Sequence, residues 1–444
     1  MEDLQTKAKT VMVDEPFVFL SETDFNKWSH IDRLEDRFMA CDIPESQLKI
    51  MTTEALVKSI LHYPLNYLIF AYNDPLQAID IIMKHSSLHK ELVKRPDVAN
   101  AILKSFEITE MSLEETIVSK DYQTLSYSDE MFLEYYISSK YVKGFSNPEL
   151  KEKLKKVVEI KIAERENNDK YSIHSILPLI YLCKKEGLRI MNIALFYNQE
   201  ALRSTYIYTC FGHAIIAENY PEFSAYEINA RTNYFVSEYD EAELISPASA
   251  RYNCHSYAWY DSSTSNTFWI HEIGINQLFN FWTQDLFSPC TLESDAEVVH
   301  YPNSDHSAIR LSSGNYISKW GPGPLMEHAP DYGPYEDMTT RDYYRVRQDL
   351  PLNQIQISGN TIVYSDQANN YIRSTFINRP VSYSWSVQYW GGTTSSYSFQ
   401  QLVPDEYQLI CYDYGVYTIR VDSYYKGINV FYGELNVNCV PEGF

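Results

Sequence analysis

The sequence predicts a multidomain protein: an all-α N-terminal region, a central α+β domain and an all-β C-terminal sandwich. Three observations carry the prediction. The chain has 444 residues, and single hydrophobic cores stop growing near about 250 to 300 residues, so a chain of this length divides. Apolar residues recur at helical spacing through the first third, and short alternating strands fill the final segment. The changes of texture place the boundaries at 1–185, 186–345 and 346–444.

The helical region reads from Leu34 to about Lys170. Thr53 caps an apolar-periodic run, Ala55, Leu56, Ile60 and Leu61, that stops before Pro64. Further helices begin near Pro75 and Pro96, because a proline fits the first helical turn. Ser128 to Ser139 and Pro148 to Arg165 continue the pattern, the second with Lys and Glu at i, i+4 spacing that suggests a solvated face. Successive helix pairs fit a solenoid-like array or a plain bundle, and no fixed period decides between them.

Past Leu188 the texture turns β-branched and aromatic (Ile190 to Tyr197, Tyr206 to Glu218), then helical around Cys254, then stranded through Trp320. That mixture predicts an α+β domain. From Gln348 the strands are Ile355 to Ile357, Thr361 to Tyr364, Tyr383 to Tyr389, Gln408 to Tyr412, Tyr417 to Asp422 and Asn429 to Asn438. Turn signals between them recur as in a sandwich. Trp385 in a middle strand and Tyr417 after Asp413-Tyr414-Gly415 give this segment a resemblance to immunoglobulin-like modules.

Charge excludes some function classes. With 37 basic and 59 acidic residues the net charge is −22, so the chain lacks the positive field that nucleic acid or an anionic membrane requires. The composition, 45% apolar and 22% charged, is that of a folded protein. No apolar run approaches the roughly 18 to 20 residues of a transmembrane helix, and Met1-Glu2-Asp3-Leu4 has no secretory-signal pattern. The seven cysteines include no C-x-x-C, so neither a zinc site nor any other metal or cofactor is expected. Their odd number leaves at least one thiol outside intramolecular disulfides, while Cys411 and Cys439, both in strands, could bridge.

The sharpest chemical signal is Arg251-Tyr252-Asn253-Cys254-His255-Ser256-Tyr257-Ala258-Trp259-Tyr260. Turn residues Ser246 to Ser249 precede it and a helical rhythm follows, placing Cys254 at a helix start, where unpaired N–H groups favour a thiolate. Downstream, Asn303-Ser304-Asp305-His306-Ser307 feeds an alternating strand, a Ser313-Gly314-Asn315 turn and a second strand, Tyr316 to Trp320. A thiol at a helix start and an imidazole opening a hairpin are the two parts of nucleophilic cysteine catalysis. Read alone, either residue is more simply structural.

Together these segments resemble the NlpC-type and CHAP superfamily of papain-fold cysteine peptidases and amidases, over about Leu188 to Met338. Asn253 to Ala258 is similar to the CHAP nucleophile segment, and His306 followed by Ser318 is similar to the NlpC-type pattern. The resemblance implies Cys254 as nucleophile, His306 as general base and Ser318 in the place of the third polar residue, where the families usually carry His, Asn, Gln or Asp. Lys319, Asn315 or His328 could substitute there. Tyr252 or Asn253 would assist an oxyanion hole, and Trp320 and His328, at the ends of the rigid run to Pro330, would face substrate. The implied function is hydrolysis of amide bonds in peptidoglycan stem peptides or related peptides, outside the cytoplasm. The other reading is a non-catalytic surface protein that uses a papain-like scaffold and a Tyr-rich sandwich for contacts. His85 and His89, His271-Glu272 and Gly321-Pro322-Gly323 lack the companions of a metal pair or phosphate loop, and no G-x-S-x-G is present.

Overall fold

The computed structural model describes residues 12–108, 127–190, 203–210, 213–271, 278–283, 285–347, 350, 352–353, 355–374, 382–390, 397–403, 406–425 and 427–441. The chain forms two compact units. The first comprises Met1–Thr205, Ala217–Glu272 and Ala296–Tyr343; the second comprises Tyr206–Ile216, Ile273–Asp295 and Tyr344–Phe444. The first unit therefore takes in both the helical region and most of the central one, and a single buried core runs through it from Phe19 to Met338.

Helix starts in this unit follow their capping residues. Thr52, one residue before the expected cap, accepts the Ala55 N–H at 3.1 Å and starts α1 (Thr53–Leu61). Thr53 instead donates its hydroxyl to Asp97 at 2.7 Å. Asp74 caps α2 (Pro75–His85) through the Leu76 N–H at 2.9 Å. The most buried helix, α3 (Tyr127–Ser138), packs against α1, α2, Asn66–Phe70 and α5 (Leu177–Glu186). One helix gripped by elements so far apart in sequence makes this a bundle, since an array would pair only neighbours. Between them in sequence, α4 (Pro148–Glu166) is only partly a solvated face. Its Arg165 is buried and forks onto Glu134 of α3 at 2.7 and 2.8 Å, with Lys161 on Glu130 beside it. His85 is only partly solvated and His89 is not solvated at all. His85 stacks on Phe38 and contacts Glu336, while His89 is fully buried on the Ser86 hydroxyl at 2.8 Å.

After α6 (Ala225–Glu238), opened by a reciprocal Ser224 and Glu227 capping box, come five antiparallel strands. They are β1 (Glu243–Ser246), β2 (Val298–Tyr301), β3 (His306–Arg310), β4 (Tyr316–Lys319) and β5 (Leu325–His328), in spatial order β1-β5-β4-β3-β2. Tyr301 pairs with His306 and His300 with Ser307, so register fixes which side chains share a face. No helix among the described residues is long and apolar enough to cross a membrane.

In the second unit, Ser382–Tyr389, Gly415–Tyr425 and Ile428–Val440 form one sheet with two short parallel additions. Gln356–Ser358, Ala368–Ser374, Glu406–Cys411 and Tyr397–Val403 form another. Tyr371, Leu409, Cys411, Tyr417, Ile419, Val437 and Cys439 share its core, and the Tyr417 hydroxyl donates to the Asp413 carbonyl at 2.9 Å. Three strands are additional to the expected set: the two-residue Leu352–Asn353, and Ala368–Ser374 and Tyr397–Val403, whose Asn and Gln side chains hide the apolar alternation. Trp385 lies on an edge strand among the described residues, not a middle one. Cys411 and Cys439 are both free thiols, as are the other five cysteines. The β-branched run from Ile190 to Tyr197 lies mostly outside the described residues.

Candidate active site

The turn before Cys254 is held from outside. Glu222 accepts the Ser249 hydroxyl at 2.7 Å and the Ala250 N–H at 2.8 Å. Asn253 then caps the helical turn: its Oδ1 accepts the Ser256 N–H at 3.1 Å, and the Ser256 hydroxyl lies 3.3 Å from the Asn253 N–H. The same amide pairs with Ile270 as a strand would, accepting its N–H at 3.3 Å and donating to its carbonyl at 2.7 Å. Its second amide hydrogen reaches Asn73 Oδ1 at 3.2 Å, so Asn253 is fully occupied as a cap and tether and has no donor left for an oxyanion. The turn widens into a π-helical segment, Ser256–Tyr260, closed by the Asp261 N–H on the Ser256 carbonyl at 2.9 Å.

Cys254 is 1% exposed at the start of this turn. Its sulfur lies 3.6 Å from the Nδ2 of Asn73 and 3.9 Å from the Asp305 carbonyl oxygen. Asn73 comes from the loop before α2, and its Nδ2 also donates to the Asp305 carbonyl at 3.2 Å and lies 3.3 Å from its carboxylate. Two close approaches hold this loop. Gly321 sits at φ +49° against the Ala71 carbonyl, where any Cβ would collide, and the Tyr335 hydroxyl donates to the same carbonyl at 2.8 Å.

His255 is the imidazole tied to this group. Its Nε2 faces Asp305 Oδ1 at 2.9 Å and its Nδ1 faces Ser307 Oγ at 3.0 Å, while Trp259 Nε1 donates to the same Ser307 oxygen at 2.9 Å. Burial alone would pull the imidazole down, yet the Cys254 thiol and the Asp305 carboxylate beside it hold it well above the usual histidine range. Asp305 adopts φ +48°, a conformation that Asp and Asn tolerate better than most residues.

His306 is placed differently. Ser307 points at the Cys254 helix, and neighbouring residues of a strand alternate between faces, so His306 on β3 turns to the other face. It stacks on Tyr335 with centroids 3.9 Å apart, and neither ring nitrogen has a hydrogen-bond partner. Burial, together with the nearby His328, His255 and His300, pushes it well below the usual range. Ser318 is bound to His328 Nε2 at 2.8 Å and to Trp320 Nε1 at 3.1 Å, so it orients His328 and not His306.

The other expected site residues lie in packing positions. Trp320 is fully buried against Tyr239 at 4.9 Å, His328 is 1% exposed and lowered to about 4 by burial, and Tyr252 packs with Tyr257 and Leu325. Neither Trp320 nor His328 faces a cleft as expected. Asn315 donates to Glu327 at 2.9 Å. Lys319 is buried with its ammonium on the Ser249, Gly321 and Gly323 carbonyls, and burial lowers it to about 7. His271 contacts Glu218 at 2.9 Å, and Glu272 lies outside the described residues. Among the described residues no group of three or more His, Cys, Asp or Glu is arranged to hold a metal ion.

Residues 243–344 match a family described as "Domain of unknown function (DUF7689)". The match spans Cys254, His255, Asp305, His306 and Ser318 but not Asn73. No curated protein matches the chain.

Proposed function

We propose that the protein is a cysteine hydrolase of papain-like type that cleaves amide bonds in peptides, with Cys254 as nucleophile. The observation that carries this reading is the grouping of a thiol, an amide donor at 3.6 Å and a histidine–carboxylate pair at 2.9 Å. In the first half-reaction the Cys254 sulfur attacks the carbonyl carbon. The oxyanion is met by the Cys254 N–H, which a first helical turn leaves without an intrahelical acceptor, and by Asn73 Nδ2, which must turn one of its two hydrogens away from Asp305 to do so. His255, held by Asp305, receives the thiol proton and delivers it to the amine as the C–N bond breaks. Water then attacks the thioester, losing a proton to the imidazole, and the acid departs as the thiol is restored. Both His255 nitrogens already have oxygen partners, so the imidazole must release one of them to take part.

A second reading gives the base role to His306, favoured by its two unpartnered ring nitrogens and by the resemblance to NlpC-type and CHAP enzymes. The same resemblance supports peptidoglycan stem peptides as substrate, a papain-like identity for this domain, an immunoglobulin-like identity for the C-terminal sheets and a place outside the cytoplasm. The deciding experiment incubates the full chain with purified peptidoglycan and a panel of stem peptides and follows products by mass spectrometry. Turnover and a covalent adduct at Cys254 are expected, both lost in Cys254→Ala. His255→Ala should reduce kcat at least 10²-fold and His306→Ala much less; the reverse order transfers the base role to His306. Absence of turnover and adduct on every substrate sinks the hydrolase reading and leaves the scaffold one.

A further inference from the structure

Beside the thiol, a pocket opens whose walls include Phe70, Asn73, Tyr181, Phe223, Arg231 and Trp269. Arg231 is the unusual member. It projects from α6, is 4% exposed and is sandwiched between rings, its guanidinium carbon 4.0 Å from the Phe70 centroid and 4.1 Å from that of Phe223. One NH2 group donates to the Tyr127 hydroxyl at 3.1 Å, and Nε has no partner. Among the described residues no carboxylate forms an ion pair with it, and Glu227 is reached only through the Tyr127 hydroxyl, which donates to it at 3.2 Å. His174, on the same wall, donates its Nε2 hydrogen to the Pro221 carbonyl at 2.8 Å and is lowered to about 4 by burial, so it stays neutral and adds no second positive charge.

An unpaired buried cation is costly, and stacking on two rings offsets only part of that cost. A planar guanidinium held flat by aromatic faces keeps its edge for a two-point partner, which is the geometry of a carboxylate. We propose that this pocket is a carboxylate-binding subsite, taking an acid carried on an aromatic or apolar group and anchored by Arg231. Asn73 belongs both to the pocket and to the surroundings of Cys254, so the two sites share a wall. The subsite role rests on the hydrolase reading and selects acidic peptides as the substrate class; the binding itself does not.

The test uses the full-length Cys254→Ser protein, which cannot turn over, with phenylacetate as probe and phenylacetamide as its neutral counterpart. Ligand-observed NMR titration should show saturable phenylacetate binding and at least tenfold weaker binding of the amide. Arg231→Gln should abolish the preference and Arg231→Lys should retain part of it, with melting curves reporting whether each is folded. Equal binding of acid and amide, or no saturable binding of the acid, overturns the proposal even if neither Arg231 variant folds. With wild-type protein, phenylacetate should slow iodoacetamide labelling of Cys254 over the same concentration range. Binding without protection overturns the subsite role, and a protein that binds phenylacetate yet hydrolyses no peptide fails the hydrolase reading alone.

Discussion

Asp305 combines a carboxylate contact with a backbone conformation, and substitution separates the two cleanly. Its carboxylate holds His255, and its backbone occupies a left-handed conformation that asparagine also accepts. Asp305→Asn should therefore fold with little change in melting temperature while losing turnover by roughly 10²-fold or more, since a neutral amide no longer stabilises the imidazolium. The sign follows from the pair. The carboxylate raises His255, so its removal lowers the imidazole and shifts the limb of the pH–rate profile that reports it to lower pH. An unmoved limb in that profile would assign it to another group. Cys254 should be alkylated before the five other buried cysteines, as peptide mapping after brief iodoacetamide treatment would show.

At the scale of the element, the turn carrying Cys254 depends on one cap. Asn253→Ala removes four hydrogen bonds and leaves the Ile270 backbone groups unpaired, so a loss of about 3 kcal/mol is expected, read from denaturant unfolding. In the bundle, Arg165→Met alone should cost about 3 to 5 kcal/mol by stranding Glu134, and adding Glu134→Leu should restore much of it. The helices, the Cys254 turn and the His306 hairpin were legible because caps, prolines and periodicity are local. The face on which His306 lies was not, because it is set by what Ser307 meets across the packed interface. Asn73 was hidden for a related reason: the Asp74-Pro75 signal beside it reads only as a helix start, and no local pattern says that this loop ends at a distant thiol. Arg231 is one cation on an amphipathic helix until the rings of Phe70 and Phe223 close on it.

At the scale of the whole molecule, the buried imidazoles set the acid limit. Burial depresses His89 and His300 to about 3, His174 and His328 to about 4, and His306 well below its usual range. In the unfolded chain each takes a proton near pH 6.5, so the stability they contribute is complete above that value and drains as pH falls toward the folded values. Each adds about 1.4 kcal/mol per pH unit to the slope within that window. His255 has the opposite sign: its contribution is complete below about pH 6.5 and fades only as pH rises through its elevated folded value. Five groups lose stability together between about pH 6 and 4, where the His255 contribution is constant, so a steep drop in melting temperature is expected there, checked by calorimetry across that range. A flat profile would mean that these rings are hydrated.

The loop that brings Asn73 to Cys254 also bears on modularity. The stretch 243–344 reads as a unit that could be lifted from one protein into another, yet the amide beside the sulfur and the guanidinium in the neighbouring pocket both arise outside it. Such a transplant would carry the thiol without its surroundings. Chains that share that stretch but differ upstream would hold the same thiol in different company.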